Sequence, residues 1–153
     1  MAVPSIFPPN SDARVMGIKG EMFFMKHCKD KGLKSRFTKN RMQRWDVTVR
    51  EMKVDVKTIR TNYPPKSSYN VDLSSAQASL DSDIYAFVFY NEKNNKFTIA
   101  GALPRDDYLR KAILKREGET ERDGSFTYAC DTYIVKVSEL KPIEEVIKTM
   151  VMP

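Results

Sequence analysis

The feature that most constrains this chain is a pair of alternating apolar and polar runs between residues 45 and 59. In the first run Trp45, Val47 and Val49 alternate with polar residues, and in the second run Val54 and Val56 do the same. A period of two with valine-rich apolar positions is typical of β-strands that bury one face. The segment is therefore predicted to form two neighbouring strands joined by a short turn.

A two-residue turn at Arg50-Glu51 would place Asp46 opposite Asp55 in an antiparallel pair. Opposite side chains share a face and lie roughly 5 Å apart, and Lys57 projects to the same face because the side-chain period of a strand is two. Two carboxylates at that spacing repel each other unless a cation lies between them, so the hairpin is a candidate site for a divalent metal. Arg50-Glu51 is not a favoured type I′ pair, which leaves a longer turn or a slipped register open. A plain polar surface hairpin is the alternative.

A helix is predicted from Ser11 to Lys31, because Ser11 or Asp12 can cap its start and a glycine follows its basic last turn. Its apolar side chains recur at steps of three and four residues and predict a buried stripe made of Val15, Ile18, Met22, Met25 and Cys28. Glu21 follows two glycines that indicate close backbone approach. This favours an inward-facing Glu21, although a lone acid in mid-helix is usually solvated.

This order of parts resembles the PD-(D/E)xK nuclease superfamily, which has the restriction-endonuclease-like fold. The matching residues are Gly20-Glu21 on the helix, Asp46 on one strand and Asp55-Val56-Lys57 on the next. The likeness runs from about Ser11 to Tyr90, and the chain departs from the family pattern at Trp45, where proline is usual, and at Asp55, where glutamate is commoner. The resemblance implies a metal-dependent nuclease, with Glu21, Asp46, Asp55 and Lys57 as its catalytic residues.

The chemistry of phosphodiester hydrolysis calls for the same residue types. It needs a metal that neutralises charge on the phosphate and lowers the pKa of an attacking water, and magnesium prefers oxygen ligands. Asp46 and Asp55 would supply carboxylates, the Val56 carbonyl a third oxygen, and Glu21 would complete the shell directly or through water. Lys57 would orient the water or stabilise developing charge. The expected cofactor is Mg²⁺ or Mn²⁺.

Other catalytic chemistries find little support in the chain. There is one histidine, His27, which argues against Ser-His-Asp catalysis and a histidine-rich zinc site. The two cysteines, Cys28 and Cys130, are far apart, so a structural zinc site is not expected. No GxxxxGK phosphate-binding loop is present.

The charge of the chain favours a polyanionic partner. Its formal net charge is +6 and its pI about 9.3, and a basic surface attracts nucleic acid through its phosphates. A basic run from residue 26 to residue 44 leads directly into Asp46, although a solvated face is the alternative. Some branches of the superfamily carry a glutamine on a later helix, which Gln77 loosely matches. The candidate nucleic-acid contacts are Lys34, Arg36, Lys39, Arg41, Arg44, Lys66, Tyr69 and Gln77.

The rest of the chain predicts an α/β fold, a restriction-endonuclease-like sandwich whose central mixed sheet of about five strands is flanked by helices. Residues 1–10 read as an extended arm and residues 11–153 as a single domain. Further strands are predicted at 33–38, 83–90, 96–101 and 128–137, helices at 104–117 and 143–150, and a loop at 61–73. Tyr63 and Tyr69 in that loop would contact a nucleic-acid backbone or belong to an ordinary connection.

These observations favour a DNA endonuclease, and two copies of the chain would be a natural way to cut two strands. An RNA endonuclease with the same site, a catalytically inactive nucleic-acid-binding module of the same fold and a protein-binding factor remain open. No apolar run of about 18 residues predicts a membrane span, and the first residues lack a signal-peptide core. Two separated cysteines fit a reducing cytoplasm, as in a bacterium or a phage-infected cell. Compact nucleases of the superfamily that the chain resembles often belong to phages, restriction systems, homing elements or recombination and repair pathways.

Overall fold

The structure, a computed structural model, describes residues 12–38, 46–78, 82–121 and 124–151. Its elements are α1 (Asp12–Asp30), β1 (Ser35–Phe37), β2 (Val47–Val49), β3 (Met52–Thr61), β4 (Asn70–Ser74), α2 (Ser75–Ala78), β5 (Ile84–Asn91), β6 (Lys96–Pro104), α3 (Arg105–Lys111), β7 (Ile113–Lys115), β8 (Thr132–Lys136), a 3₁₀ turn (Val137–Glu139) and α4 (Ile143–Val151). The predicted arm and three predicted nucleic-acid contacts, Lys39, Arg41 and Arg44, lie outside the described residues.

A five-stranded mixed sheet in the order β1-β2-β3-β5-β6 forms the centre of the fold. Strand β5 lies between β3 and β6, pairs in parallel with β3 and antiparallel with β6, and is buried along nearly its whole length. Its continuous apolar sequence from Ile84 to Phe89 meets the requirement of a strand covered on both faces. The α/β class, the five-stranded mixed sheet and its flanking helices confirm the prediction.

One face of this sheet packs against helices α1 and α4. Valines of β2, β3 and β5 meet Phe24 and Cys28 of α1 and Ile143 and Ile147 of α4 in one buried cluster. The cluster takes its sheet residues from alternate positions of each strand, such as Val54 and Val56, because a strand presents every second side chain to the same face.

The other face carries a second core, formed with a small sheet in the order β4-β8-β7 and with α3. Tyr85 and Phe87 of β5 meet Tyr108 of α3 and Val71 and Leu73 of β4. The Tyr108 ring stacks on Phe87 with 5.6 Å between ring centroids, and its hydroxyl donates to the Tyr133 carbonyl at 2.8 Å. The ring of the buried tyrosine is therefore packed against apolar neighbours, and its hydroxyl has a hydrogen-bond partner.

The second sheet corrects two predictions. The segment 61–73, predicted to be a loop, contains β4, which pairs antiparallel with β8. Its apolar positions alternate, since Val71 and Leu73 are buried and the residue between them is not, but one short strand among polar neighbours is a weak signal. The helix predicted over 104–117 ends at Lys111, and β7 follows it to pair with β8.

The buried face of α1 is also different from the predicted stripe. Val15, Ile18 and Met22 are 39%, 43% and 55% exposed, whereas Phe24 and Cys28 are buried together with Gly20. These three lie at four-residue spacing on one face of the helix. The C-terminal part of the predicted stripe is confirmed, because Cys28 is buried and Met25 packs against the core. The N-terminal part is wrong, because a glycine at the contact carries no apolar side chain to count. None of the helices in the described ranges is long and apolar enough to cross a membrane.

Candidate active site

The hairpin that joins β2 to β3 has the predicted two-residue turn. Val49 pairs with Met52 and Val47 with Val54, so the register is the one that an Arg50-Glu51 turn requires. The main-chain N–H of Asp46 donates to the carbonyl of Val54, the residue that pairs with Val47, at 3.1 Å. Asp46 therefore lies at the start of β2, beside Asp55 on β3.

The Asp46 carboxylate takes the place of a main-chain partner for β3. The N–H of Val56 donates to Oδ2 of Asp46 at 3.0 Å. In an antiparallel ladder the N–H and C=O of one residue point to the same neighbour, and therefore the Val56 carbonyl also points to the side where Asp46 lies. The Asp46 carboxylate and the Val56 carbonyl therefore lie on the same side of β3.

Asp55 and Lys57 extend this group on one face of β3. They pair with Tyr85 and Phe87 of β5, two residues of the second core, and so face away from Val54 and Val56. Burial, the charge of Asp46 and a hydrogen bond between the two carboxyl groups raise the pKa of Asp55 well above its ordinary value. The nearby Lys57 ammonium acts in the opposite direction. The pKa of Asp55 is therefore raised first by burial and then by the neighbouring carboxylate.

Glu21 approaches the same cluster from α1. Gly20 allows this approach, because a Cβ built on Gly20 would lie 1.7 Å from Oγ1 of Thr58 on β3. Burial, followed by the charge of Asp46, raises the pKa of Glu21 from 4.5 to about 8, and the Glu21 charge in turn helps to raise the pKa of Asp55. Electrostatic coupling therefore joins Glu21, Asp46 and Asp55.

Lys57 has a partner that the sequence did not reveal. Its ammonium lies 3.0 Å from Oδ1 of Asp72 and donates to the Asp72 main-chain carbonyl at 2.5 Å. Asp72 is the middle residue of β4, between buried Val71 and Leu73. The signal that could have found it is this Val-Asp-Leu alternation within the segment predicted to be a loop.

The donor set suits a hard divalent cation, although its protein ligands are few. Within the described ranges, no three His, Cys, Asp or Glu side chains form a compact group that could hold a metal by themselves. Asp46, Asp55 and the Val56 carbonyl supply oxygens on one edge, and magnesium is commonly held by one or two carboxylates with water and substrate phosphate completing its shell. The residues therefore fit Mg²⁺ or Mn²⁺ with substrate and water as further ligands. Glu21 lies near them on the α1 side.

The predicted nucleic-acid contacts divide into two groups. Lys34 and Arg36 are exposed at β1, on the edge of the main sheet next to the hairpin, and Lys66 is exposed in the connection before β4. Tyr69 is half-buried, and its ring lies 6.4 Å from the Phe89 ring, centroid to centroid, so it packs against the second core. Gln77 is engaged locally, because its Oε1 accepts the N–H of Ser74 at 3.0 Å at the start of α2.

Comparison with known proteins adds little to this geometry. No protein-family model matches the chain, and no curated protein does. One solved structure with a similar fold is that of a bacterial homing endonuclease, I-Ssp6803I, with 13% sequence identity and a TM-score of 0.45 over 82% of this chain and 76% of that chain. Likeness at this level carries no argument about activity, which has to be argued from the residues themselves.

Proposed function

We propose that this protein is a metal-dependent nuclease that hydrolyses phosphodiester bonds, with DNA as the favoured substrate. One observation carries the proposal: Asp46 and Asp55 meet at the start of one hairpin, with Lys57 two residues further along the same face. Such a group combines oxygen ligands for a cation with a positively charged donor for a phosphate. The assignment to the PD-(D/E)xK superfamily belongs to this proposal.

Each residue has a distinct role in this account. Asp46 and Asp55, with the Val56 carbonyl, would hold Mg²⁺ or Mn²⁺, which would neutralise phosphate charge and lower the pKa of an attacking water. Lys57 donates a hydrogen bond to the water or to the phosphate oxygen on which negative charge develops. Glu21 adds a carboxylate on the α1 side of the cluster.

The electrostatics of the cluster support cation binding. Burial and mutual repulsion raise the pKa of both Asp55 and Glu21, and a divalent cation between the carboxylates would remove that penalty. Perturbed carboxyl groups concentrate at functional sites because such sites sacrifice stability for chemistry. A purely structural surface hairpin gives no reason for the carboxyl groups of Asp46 and Asp55 to share a hydrogen bond.

A catalytically inactive nucleic-acid-binding module is the second candidate, and the engagement of Lys57 by Asp72 favours it, since a lysine held by a carboxylate is partly neutralised. A cleavage assay on single-stranded, duplex and branched DNA and on RNA, with Mg²⁺, Mn²⁺ or EDTA, separates the candidates. Metal-dependent products that Asp55→Ala loses would support the nuclease. Cleavage that survives in Asp55→Ala would refute the site, and binding without cleavage of any substrate would leave the binding module.

A further inference from the structure

A basic cleft lies at the far end of the hairpin from Asp46. It has a volume of about 670 Å³, and the charged residues that line it are Lys34, Arg36, Arg50 and Glu51. All four are exposed. Within the described part of the chain, none of the three cations has a carboxylate within 4.0 Å. Three cations against one acid give the cleft a net positive charge.

The cleft and the carboxylate cluster share one face of the main sheet. Arg36 pairs with Thr48 in β2, and Thr48 pairs with Lys53 in β3. Opposite residues of antiparallel strands share a face and every second residue of a strand returns to it. Arg36, Lys53 and Asp55 therefore lie on the same face, whereas the alternate residues of β2 and β3 are buried under α1.

The turn that presents Arg50 is conformationally unfavourable for its sequence. Arg50 and Glu51 have φ values of +46° and +71°, the left-handed region that type I′ turns require and that Asn-Gly satisfies best. A residue other than glycine in this region costs of order 1 kcal/mol or more. The main chain at Arg50 is held by its N–H, which donates to the Lys34 carbonyl at 3.0 Å. Asparagine or glycine would adopt the Arg50 conformation at a lower cost.

We propose that Lys34, Arg36 and Arg50 form a phosphate-binding subsite that holds the DNA backbone a few nucleotides from the bond that is cut. The inference rests on the proposed nuclease function and adds the position and chemistry of a second substrate contact. Asp46 and Arg50 flank β2 and are four residues apart, about 13 Å at 3.3 Å per residue. Phosphates of one DNA strand recur about every 3.4 Å of helix axis, so one continuous strand spans both sites.

The shape of the donors fits this ligand. Arginine side chains bind phosphate oxygens through two parallel N–H donors, and Arg36 and Arg50 provide two such groups beside the Lys34 ammonium. Contacts of this kind fix the register of a nucleic acid without reading its sequence. Glu51 opposes them, and its charge weakens anion binding at this end of the hairpin.

The test is the variant Arg50→Asn, which removes the charge and relaxes the turn at the same time. DNA affinity is measured with a short duplex in Ca²⁺ at several salt concentrations, and stability is measured by urea unfolding. We expect affinity on the order of tenfold lower at about 0.1 M salt and a salt slope smaller by about 0.9. The urea midpoint should stay the same or rise, because asparagine favours a positive φ.

Three further variants sharpen the comparison. Arg50→Lys keeps the charge and should retain most of the salt slope. Lys96→Ala removes an exposed lysine at the start of β6, on the opposite edge of the main sheet, and should leave the slope unchanged. Glu51→Gln should tighten binding, the opposite sign to Arg50→Asn.

The outcomes separate this inference from the proposed function. If Arg50→Asn and Lys96→Ala have the same salt slope as the wild type while DNA is still cleaved, the subsite is refuted and the nuclease stands. If the slope falls equally in Arg50→Asn and Lys96→Ala, binding is diffuse and the subsite is again refuted. If only an RNA duplex shows the Arg50 effect, the DNA assignment is overturned. If no nucleic acid binds, both proposals fail.

Discussion

The ammonium group of Lys57 on β3 lies 3.0 Å from Oδ1 of Asp72 on β4, so a residue of the second sheet holds the lysine of the candidate active strand. The side chains of Lys57 and Asp72 are 25% and 50% exposed. Pairs this exposed contribute little to stability, with a median of about 0–1 kcal/mol. The Lys57–Asp72 pair is therefore important for geometry, because the second sheet sets the direction in which the Lys57 ammonium points.

Asp72→Asn should impair catalysis more than binding. The variant keeps the main-chain acceptor for Lys57 but weakens its side-chain partner, and misplacement of a catalytic group by about 1 Å can cost on the order of 100-fold in rate. Single-turnover cleavage should fall by tenfold to 100-fold on that scale, while DNA affinity in Ca²⁺ changes little. The control is Asp107→Asn, which removes an exposed carboxylate paired with Arg110. Equal losses in the two variants would contradict the positioning role.

Gly20→Ala should destabilise the protein. The added Cβ would lie 1.7 Å from Oγ1 of Thr58, so α1 must move away from β3, and overpacking of this kind typically costs about 1–3 kcal/mol. Urea unfolding measures the loss. Cleavage should fall as well, because Glu21 would move with α1.

Gly17→Ala is the matched control within the same helix. A Cβ at Gly17 meets no atom within 4 Å, and alanine in a helix interior is favoured over glycine by roughly 0.5–1 kcal/mol. Gly17→Ala should therefore raise the unfolding free energy. A similar effect of both substitutions would contradict the close contact between α1 and β3.

The carboxylate cluster predicts how stability depends on pH without metal. The pKa of Glu21 is 4.5 ordinarily and about 8 in the fold, so between these values the folded protein binds more protons than the unfolded chain. Stability contributed by this group therefore falls as pH rises from about 5 to about 8, and the raised pKa of Asp55 acts in the same direction. Unfolding measured in EDTA should show Glu21→Gln gaining stability over the wild type as pH rises. A stability difference between Glu21→Gln and the wild type that stays constant over this pH range would refute the raised pKa of Glu21.

Metal binding should reverse this penalty. At a metal concentration tenfold above the dissociation constant, binding to the folded state alone stabilises by about 1.4 kcal/mol. Mg²⁺ or Mn²⁺ at pH 8 should raise the thermal midpoint of the wild type and leave that of Asp46→Ala unchanged, since Asp46 is a proposed ligand. Ca²⁺ provides a check that needs no catalysis. An equal rise in Asp46→Ala would place metal binding elsewhere.

Local pattern was enough to predict the two strands of the hairpin, although it left the length of the turn open. The alternation around Val47, Val49, Val54 and Val56 fixed which residues are buried, and the polar residues then had to share the opposite face. The central strand β5 was also predictable from sequence, because a continuous apolar run of its length suits a strand buried on both faces.

The features that the sequence did not predict depend on contacts between segments that are distant along the chain. Asp72 meets Lys57 only because β4 pairs with β8, about sixty residues later in the chain. The buried face of α1 is centred on Gly20, whose importance comes from Thr58 on another element rather than from any apolar side chain. The left-handed turn at Arg50 is likewise set by the pairing of the strands that flank it.

The measurement that tests the central claim most directly is cleavage of a DNA duplex in Mg²⁺ by the wild type, by Lys57→Ala and by Lys53→Ala. Lys57 and Lys53 lie on the same face of β3, two residues to either side of Asp55, so the two variants remove equal charge on opposite sides of that carboxylate. The account predicts metal-dependent cleavage that Lys57→Ala abolishes and Lys53→Ala largely retains, with both variants still binding DNA. Full activity of Lys57→Ala, or a wild type that cleaves equally well in EDTA, would contradict it.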